Sequence, residues 1–171
     1  MINENVEGDY VRSWEGMRLL PGALEAIAEL TQAGYPIVIV TNQQGVGKGL
    51  MAASDVDEIH RRLVGEIERA GGKVAGVRYC PHLEEDGCGC RKPKPGLLVE
   101  AAREMGLNLG RSVFVGDAVS DVAAARAAGC RPILVRTGRG AKAEVTVRSG
   151  GYEEVEVADD LRAAVRLITA G

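Results

Sequence analysis

Short apolar runs alternate along the chain with longer segments whose apolar residues recur at helical spacing. The runs are rich in β-branched residues and end in polar or glycine-containing turns, which predicts buried strands. They are PIVIVTNQ, VAGVRYC, SVFVGD, RPILVRTG and EEVEVADD.

The segments between these runs are predicted to be helices. Segment 21–34 begins with Pro and ends with Gly, the residues that favour the start and the end of a helix. Ser54 and Asp55 are predicted to cap a helix that runs to about Ala70. Further helices are predicted in GLLVEAAREMG, DVAAARAAG and LRAAVRLI. GVGKG does not match the spacing of a phosphate-binding P-loop, so it is predicted to be a flexible loop.

Strands that alternate with helices through short connections indicate an α/β fold with a doubly wound parallel sheet. No repeat or long linker divides the chain, so we expect one domain over residues 1–171. In sheets of this kind, ligands bind beyond the carboxyl ends of the strands.

Composition narrows the function classes. The net charge is −3 and aromatic residues make up only 4%, which argues against a nucleic-acid-binding protein. No apolar run is long enough to cross a membrane, and the sequence MINENVEGDY lacks the features of a signal peptide. We therefore expect a cytoplasmic protein with no membrane partner, and a monomer by default.

A metal site is predicted in CPHLEEDGCGCRKPKPG, where three thiols and one imidazole follow in the order C-x-H-x5-C-x-C. Three thiolates and an imidazole form a complete ligand set for structural zinc. The alternative is unligated thiols or a disulfide. The predicted ligands are Cys80, His82, Cys88 and Cys90, whereas Cys130 is interpreted as a small buried hydrophobic residue.

Polar residues follow three of the predicted strands. Thr41 and Asn42 offer a hydroxyl, an amide and backbone donors to a phosphate, although a polar turn would look the same. Arg91 and Lys92 are a basic pair suited to clamping and neutralising a phosphoryl group. Asp117 is predicted to ligate Mg²⁺, which favours carboxylate oxygens.

The next acidic residue in the GDxxxD motif, Asp121, has two possible roles. It could support the magnesium ion predicted at Asp117, or it could cap the helix that begins with DVAAARAAG.

With TN, the Cys/His/Cys/Cys loop, RKP and GDxxxD in this order, the chain resembles phosphatases of the haloacid dehalogenase superfamily. It is most similar to the branch that contains heptose bisphosphate phosphatases and the histidinol-phosphatase domain. The resemblance covers nearly the whole chain and implies a capless domain that removes phosphate from a phosphorylated sugar. Heptose 1,7-bisphosphate is the expected substrate, and histidinol phosphate is the alternative.

The resemblance also implies site roles. Thr41 would bind the transferring phosphoryl group, and Lys92 would stabilise it. Arg91 would recognise substrate, and Mg²⁺ and Zn²⁺ would be the catalytic and structural cofactors. The expected substrate pocket further includes Tyr10, Asn42 and Gln43, with Glu7 and Asp9 beside Tyr10.

The front of the chain departs from this family. Its members carry an apolar strand that ends in DxDG, whose first Asp forms an aspartyl-phosphate and whose second acts as general acid/base. Here the sequence begins Met1-Ile2-Asn3, and the D-x-D at Asp55 and Asp57 opens a predicted helix without a preceding strand. We therefore expect an N-terminally shortened domain that lacks a central strand, folds poorly and has no turnover. A catalytically dead domain that binds a phosphosugar or a protein is the alternative.

Overall fold

The computed structural model describes the chain except for residues 7, 153 and 171. Its five strands, numbered in chain order, are β1 (Val38–Asn42), β2 (Gly76–Cys80), β3 (Val113–Gly116), β4 (Arg131–Val135) and β5 (Glu156–Ala158). Each lies within a run that the hydrophobic pattern assigned to a strand. The part of β5's predicted run at residue 153 lies outside the described residues.

In the described part of the chain, seven α-helices lie before, between and after the strands, accompanied by 3₁₀ turns at Trp14–Gly16 and Leu109–Arg111. They are α1 (Ala23–Gln32), α2 (Gln44–Gly47), α3 (Ala53–Arg69), α4 (Gly96–Met105), α5 (Val119–Ala128), α6 (Gly140–Ser149) and α7 (Leu161–Thr169). α2 and α6 were not predicted. Part of the expected loop GVGKG therefore belongs to the short helix α2. Among the described residues, no helix combines the length and apolar character needed to cross a bilayer.

The start of α3 differs in detail from the prediction. Ala52, not Ser54, is the N-cap, and the carboxylate of Asp55 accepts the backbone N–H of Ala52 at 2.8 Å. Asp55 thus contributes to the cap from the third helical position, which is half of the reciprocal arrangement known as a capping box. The D-x-D at Asp55 and Asp57 lies at the start of this helix, as expected, with Asp55 in the first turn.

The five described strands pair only in parallel, which confirms the predicted α/β class. β1 pairs with β2, and β3, β4 and β5 form a second sheet in that order. Among the described residues, no strand pairing joins β1 to β3. α1 packs against α7 and α4 packs against α5, so contacts between helices connect the two parts of the fold.

A large cavity separates the two sheets. It has a volume of about 1570 Å³, and its lining includes β1 and β3 along their whole lengths. We call this cavity the intersheet slot. The absence of a central strand stays a prediction, since a cavity does not identify the segment that would fill it.

The hydrophobic core continues beside the slot. One cluster joins Ile2, Ile27, Leu63 and Val165, and therefore ties the N-terminal segment to α1, α3 and α7. Met1 packs against this cluster and against the neighbouring cluster around Ile133, Val135 and Ile168.

Candidate active site

Lys92 is the best-anchored side chain at the carboxyl end of the sheets. Its Nζ lies 2.6 Å from Oδ1 of Asp121 and donates a hydrogen bond to the carbonyl oxygen of Val40 at 3.3 Å. The side chains of Lys92 and Asp121 are only 11% and 6% exposed, so the ion pair is largely shielded from water. This geometry links the loop after β2 to the ends of β1 and β3.

Asp121 has a structural role in the same contacts. Its Oδ2 accepts the backbone N–H groups of Asp117 and Ala118, both at 3.1 Å, at the N-terminus of α5. Both carboxylate oxygens of Asp121 are therefore engaged by protein donors. These contacts favour the capping interpretation over the magnesium interpretation of this residue.

Asp117 is differently placed and retains an accessible carboxylate, with 18% of its side chain exposed. Its Oδ2 accepts the backbone N–H of Arg139 at 3.1 Å and lies 3.8 Å from the amino group of Met1. Burial lowers the pKa of that amino group, and the negative charge of Asp117 opposes the shift.

Asn42 holds the backbone of the Lys92 loop. Its Oδ1 accepts the N–H of Lys92, and its Nδ2 donates to the carbonyl oxygen of Lys92, both at 3.1 Å. The amide is thus committed to positioning Lys92, so binding of a phosphate by the Asn42 side chain is not the role that the geometry favours. Thr41 is at the end of the same strand, and its hydroxyl accepts a hydrogen bond from Gln43 at 3.4 Å.

A chain of polar contacts connects the N-terminal segment to the cysteine-containing loop. Gln44 donates to the hydroxyl of Tyr10 at 2.8 Å and accepts from Arg91 at 3.0 Å. Lys48 lies 5.5 Å from the centre of the Tyr10 ring. The structure thereby brings Tyr10 and Arg91 to one wall of the slot, and their role in binding substrate stays a prediction.

Gln44 itself was missed. Gln43 was predicted for the substrate pocket instead. The two glutamines are neighbours in TNQQG, and the sequence alone does not show which of them contacts Tyr10 and Arg91. Of the acidic neighbours of Tyr10, Asp9 forms an exposed ion pair with Arg12, and Glu7 lies outside the described residues.

The four predicted zinc ligands meet where the end of β2 contacts the loop that leads to α4. Their ligand atoms all lie within 4.8 Å of one another: Sγ of Cys80, Cys88 and Cys90, and a ring nitrogen of His82. The Sγ–Sγ distances are 3.2, 3.4 and 3.6 Å, and Nδ1 of His82 is 3.3 and 3.5 Å from two of the sulfurs. Tetrahedral ligands of zinc at about 2.3 Å lie roughly 3.8 Å apart, so the set needs only a small expansion to hold the ion.

The disulfide alternative does not fit, because a bonded pair of sulfurs is about 2 Å apart. All four cysteines are free, and Cys130 is buried elsewhere, as expected. Burial, together with hydrogen bonds and charge from Cys80 and Cys88, raises the pKa of Cys90 to about 12. Burial would also raise the pKa of Cys88, but hydrogen bonds from Cys90 and from the backbone lower it to about 7. A cation is what would allow all three thiols to ionise together.

This constellation is suited to phosphoryl chemistry. Lys92 and Arg91 can counter the charge of a phosphate, and Thr41 offers a hydroxyl at a strand end. Mg²⁺ is commonly held in proteins by one or two carboxylates, with substrate phosphate and water completing its shell. The accessible carboxylate of Asp117, which lines the intersheet slot, fits that donor set.

A parallel α/β fold with these side chains at the strand ends is typical of a phosphoryl-transfer hydrolase. Comparison with protein families identifies the family. The model of haloacid dehalogenase-like hydrolases matches residues 3–126, and a HAD-hydrolase-like model matches residues 89–164. The chain belongs to the haloacid dehalogenase-like hydrolases.

Individual relatives narrow the comparison. The chain is 39% identical over 163 residues to the D-glycero-β-D-manno-heptose-1,7-bisphosphate 7-phosphatase of Pseudomonas putida, covering 95% of this chain and 91% of the relative. It is 43% identical over 141 residues to the D-glycero-α-D-manno-heptose-1,7-bisphosphate 7-phosphatase of Mycobacterium tuberculosis. That match covers 79% of this chain and 74% of the relative.

A solved structure is similar over nearly the whole chain. The D,D-heptose 1,7-bisphosphate phosphatase of Bordetella bronchiseptica, complexed with magnesium and phosphate, matches with a TM-score of 0.91 and 38% identity. The match covers 99% of this chain and 93% of that one. It confirms the expected fold.

Proposed function

We propose that this domain is a magnesium-dependent phosphatase that acts on the 7-phosphate of D-glycero-D-manno-heptose 1,7-bisphosphate. The arrangement of Lys92, Arg91 and Asp117 at the carboxyl ends of β1 and β3 carries the proposal. The names of relatives that match most of the chain supply the substrate class. Asp117 would hold Mg²⁺, which neutralises phosphate charge.

The roles of the protein side chains follow from their contacts. Lys92 would face the transferring phosphoryl group while Asp121 and the Asn42 amide fix its position. Thr41 would donate its hydroxyl to the same group. Arg91, oriented by Gln44, would bind the remainder of the phosphorylated substrate beside Tyr10.

Zinc is proposed as the structural cofactor of the loop that carries Arg91 and Lys92. Cys80 belongs to β2, whereas Cys88 and Cys90 belong to the loop that follows it. A metal that joins them would fix the loop to the sheet edge one residue before Arg91. The zinc therefore positions the two cations rather than taking part in phosphate transfer.

Turnover by the 171-residue chain is a separate question, because phosphatases of this type need a carboxylate nucleophile. The D-x-D in the chain lies at the start of α3, where Asp55 is occupied by its cap contact. We propose that the chain binds substrate but does not turn it over. Magnesium-dependent release of phosphate by the purified chain would refute this second proposal and leave the substrate assignment intact.

Calorimetric binding of ligand to the full chain tests the substrate assignment without requiring turnover. We expect both anomers of heptose 1,7-bisphosphate to bind more tightly than histidinol phosphate, with Mg²⁺ strengthening the binding. Arg91→Ala should weaken binding at least tenfold, whereas Arg103→Ala on the exposed face of α4 should not. Tighter binding of histidinol phosphate would overturn the substrate assignment.

The same titration separates an enzyme from a binding-only domain. Asp117→Asn should abolish the effect of Mg²⁺ on heptose bisphosphate binding, because it removes the accessible carboxylate. If Mg²⁺ has no effect on the unmodified chain, the magnesium site is wrong, and a binding-only domain becomes the better account.

A further inference from the structure

Lys48 is a cation beside Tyr10 to which the proposed function assigns no role. Its Nζ lies 5.5 Å from the centre of the Tyr10 ring. The residue is exposed, and among the residues that the structure describes it has no carboxylate within ion-pair distance. An aromatic face attracts an ammonium group without neutralising it. The positive charge of Lys48 is therefore available to an anion.

A second cation, Arg91, lies on the same wall. Its guanidinium donates to the side-chain oxygen of Gln44 at 3.0 Å and to a backbone carbonyl oxygen at 3.4 Å. Both acceptors are neutral, so in the described part of the chain the charge of Arg91 is matched by no carboxylate either. Lys92 differs, since Asp121 at 2.6 Å already balances its charge. Two unmatched cations on one wall favour the binding of an anion.

The backbone segments that carry the two cations are fixed to each other. Gln44 links Arg91 to the hydroxyl of Tyr10. The residue before Lys48 donates its N–H to the carbonyl oxygen of Pro81 at 3.0 Å, at the start of the loop that carries Arg91. A ligand that contacts both cations therefore has little of the protein backbone to order, which lowers the cost of binding.

This pair of cations is directed away from the centre assigned to phosphate transfer. Lys92 points to Asp121 in α5, beyond the end of β3. Arg91, its neighbour in sequence, points instead to Gln44 in α2, and α2 ends directly before Lys48. A ligand that reaches from Lys92 to Lys48 would need an anionic group at each end.

We propose that Lys48 and Arg91 form a second phosphate subsite, which binds the phosphate of a bisphosphorylated sugar that is not transferred. The inference rests on the proposed function and extends it: with the 7-phosphate at Lys92 and Asp117, the 1-phosphate lies at Lys48. Lys48 thereby determines the preference for a sugar bisphosphate over a sugar monophosphate. It contacts bound substrate but none of the reacting atoms.

Calorimetry on the full chain tests this subsite with two sugars at constant Mg²⁺, D-glycero-D-manno-heptose 1,7-bisphosphate and the same heptose with the 7-phosphate alone. We expect the bisphosphate to bind about tenfold more tightly or better, as a charge-assisted contact to phosphate allows. Lys48→Met keeps an unbranched side chain beside Tyr10 but removes the charge. It should abolish the preference by weakening the bisphosphate alone.

Two further variants control for the loss of charge. Lys73→Met removes an equally exposed positive charge after α3 and should keep the full preference. Lys48→Arg retains a cation and should keep most of it. If Lys48→Met weakens both sugars equally, Lys48 acts through its packing on Tyr10, and the subsite is wrong.

Phosphorus NMR of the bound bisphosphate identifies which phosphate Lys48 contacts. Lys48→Met should shift the resonance of the 1-phosphate and leave that of the 7-phosphate unchanged. A shift confined to the 7-phosphate would place Lys48 at the transfer centre and overturn the proposal.

The unmodified chain separates failure of the subsite from failure of the proposed function. Equal affinity for the two sugars would overturn the second subsite and leave a phosphatase for the 7-phosphate intact. Binding of neither sugar would overturn the proposed function, and the subsite would fail with it.

Discussion

At the scale of single residues, the ion pair between Lys92 and Asp121 is the contact with the largest energetic consequence. A buried charge that loses its partner is destabilising by about 3 to 5 kcal/mol, because its desolvation is no longer compensated. We predict that Lys92→Met lowers the free energy of unfolding by about 3 kcal/mol. This is the lower end of the range because Asp121 keeps its two backbone donors. Urea denaturation measures the loss.

The matched control adds Asp121→Asn to Lys92→Met, which removes the uncompensated charge and keeps the capping oxygen. This double variant should regain at least half of the lost stability. If the single and double variants are equally unstable, lost packing of the lysine side chain accounts for the effect and the buried pair does not.

Gly47 lies where the structure leaves no room for a larger side chain. A Cβ at this position would lie 2.7 Å from the carbonyl oxygen of Pro81 and 3.1 Å from the side chain of Leu83. Gly47→Ala should therefore push α2 away from the cysteine-containing loop and cost about 1 to 3 kcal/mol in unfolding free energy, measured by urea denaturation. Because Gln44 is in the same short helix, ligand binding through Arg91 should weaken as well.

The control for Gly47→Ala is Gly65→Ala in the middle of α3. A Cβ there would meet only the flexible end of the Arg69 side chain, at 3.8 Å. Since Ala favours a helix interior over Gly, this variant should gain about 0.5 to 1 kcal/mol. Equal destabilisation of both variants would contradict the steric argument for Gly47.

At the scale of secondary-structure elements, the loop between β2 and α4 depends on its ligand cluster. We predict one bound zinc ion per chain by elemental analysis and a lower melting temperature after the zinc is removed by chelation. Metal binding in such sites is coupled to folding, with apparent values of about 10 to 16 kcal/mol in small peptides. Cys88→Ala should lose the zinc, whereas Cys130→Ala should retain it, because Cys130 lies outside the cluster.

An unchanged melting temperature after verified zinc removal would show that the loop keeps its structure without the metal. The mean Sγ separation in the cluster would then reflect packing of the thiols alone.

Elements were predictable from the sequence where a short apolar run or a regular helical face identified them. All five strands were found in this way, and the rule that ligands bind at strand carboxyl ends selected Thr41, Lys92 and Asp117. α6 was missed because AKAEVTVRS lacks a regular apolar stripe, and its buried positions depend on packing against β4 and α5.

The contacts within the site were less predictable than its location. The commitment of the Asn42 amide to the Lys92 backbone joins residues 50 positions apart, and no local pattern signals it. The same holds for Gln44, whose contacts with Tyr10 and Arg91 arise from three separate segments.

At the scale of the whole molecule, helices rather than strand pairing hold the two sheets together. α7 packs against β3, β4 and β5, and its Leu161 and Val165 also join the cluster that contains Ile27 of α1. Weakening this helix–helix contact should therefore uncouple the two parts of the fold, whereas an equally buried substitution within one part should not.

We predict that Val165→Ala makes the urea transition followed by Trp14 fluorescence precede the transition followed by far-UV circular dichroism. Trp14 packs against the cluster that contains Val165, so its fluorescence reports on that side of the interface. Val147→Ala is the matched control, since Val147 is also fully buried but lies in a cluster beside β4 and β5. Each substitution should cost about 2 kcal/mol, but only the first should separate the two transitions. Coincident transitions in both variants would mean that the coupling does not depend on the α1–α7 contact, and that the sheets unfold as one unit despite the slot between them.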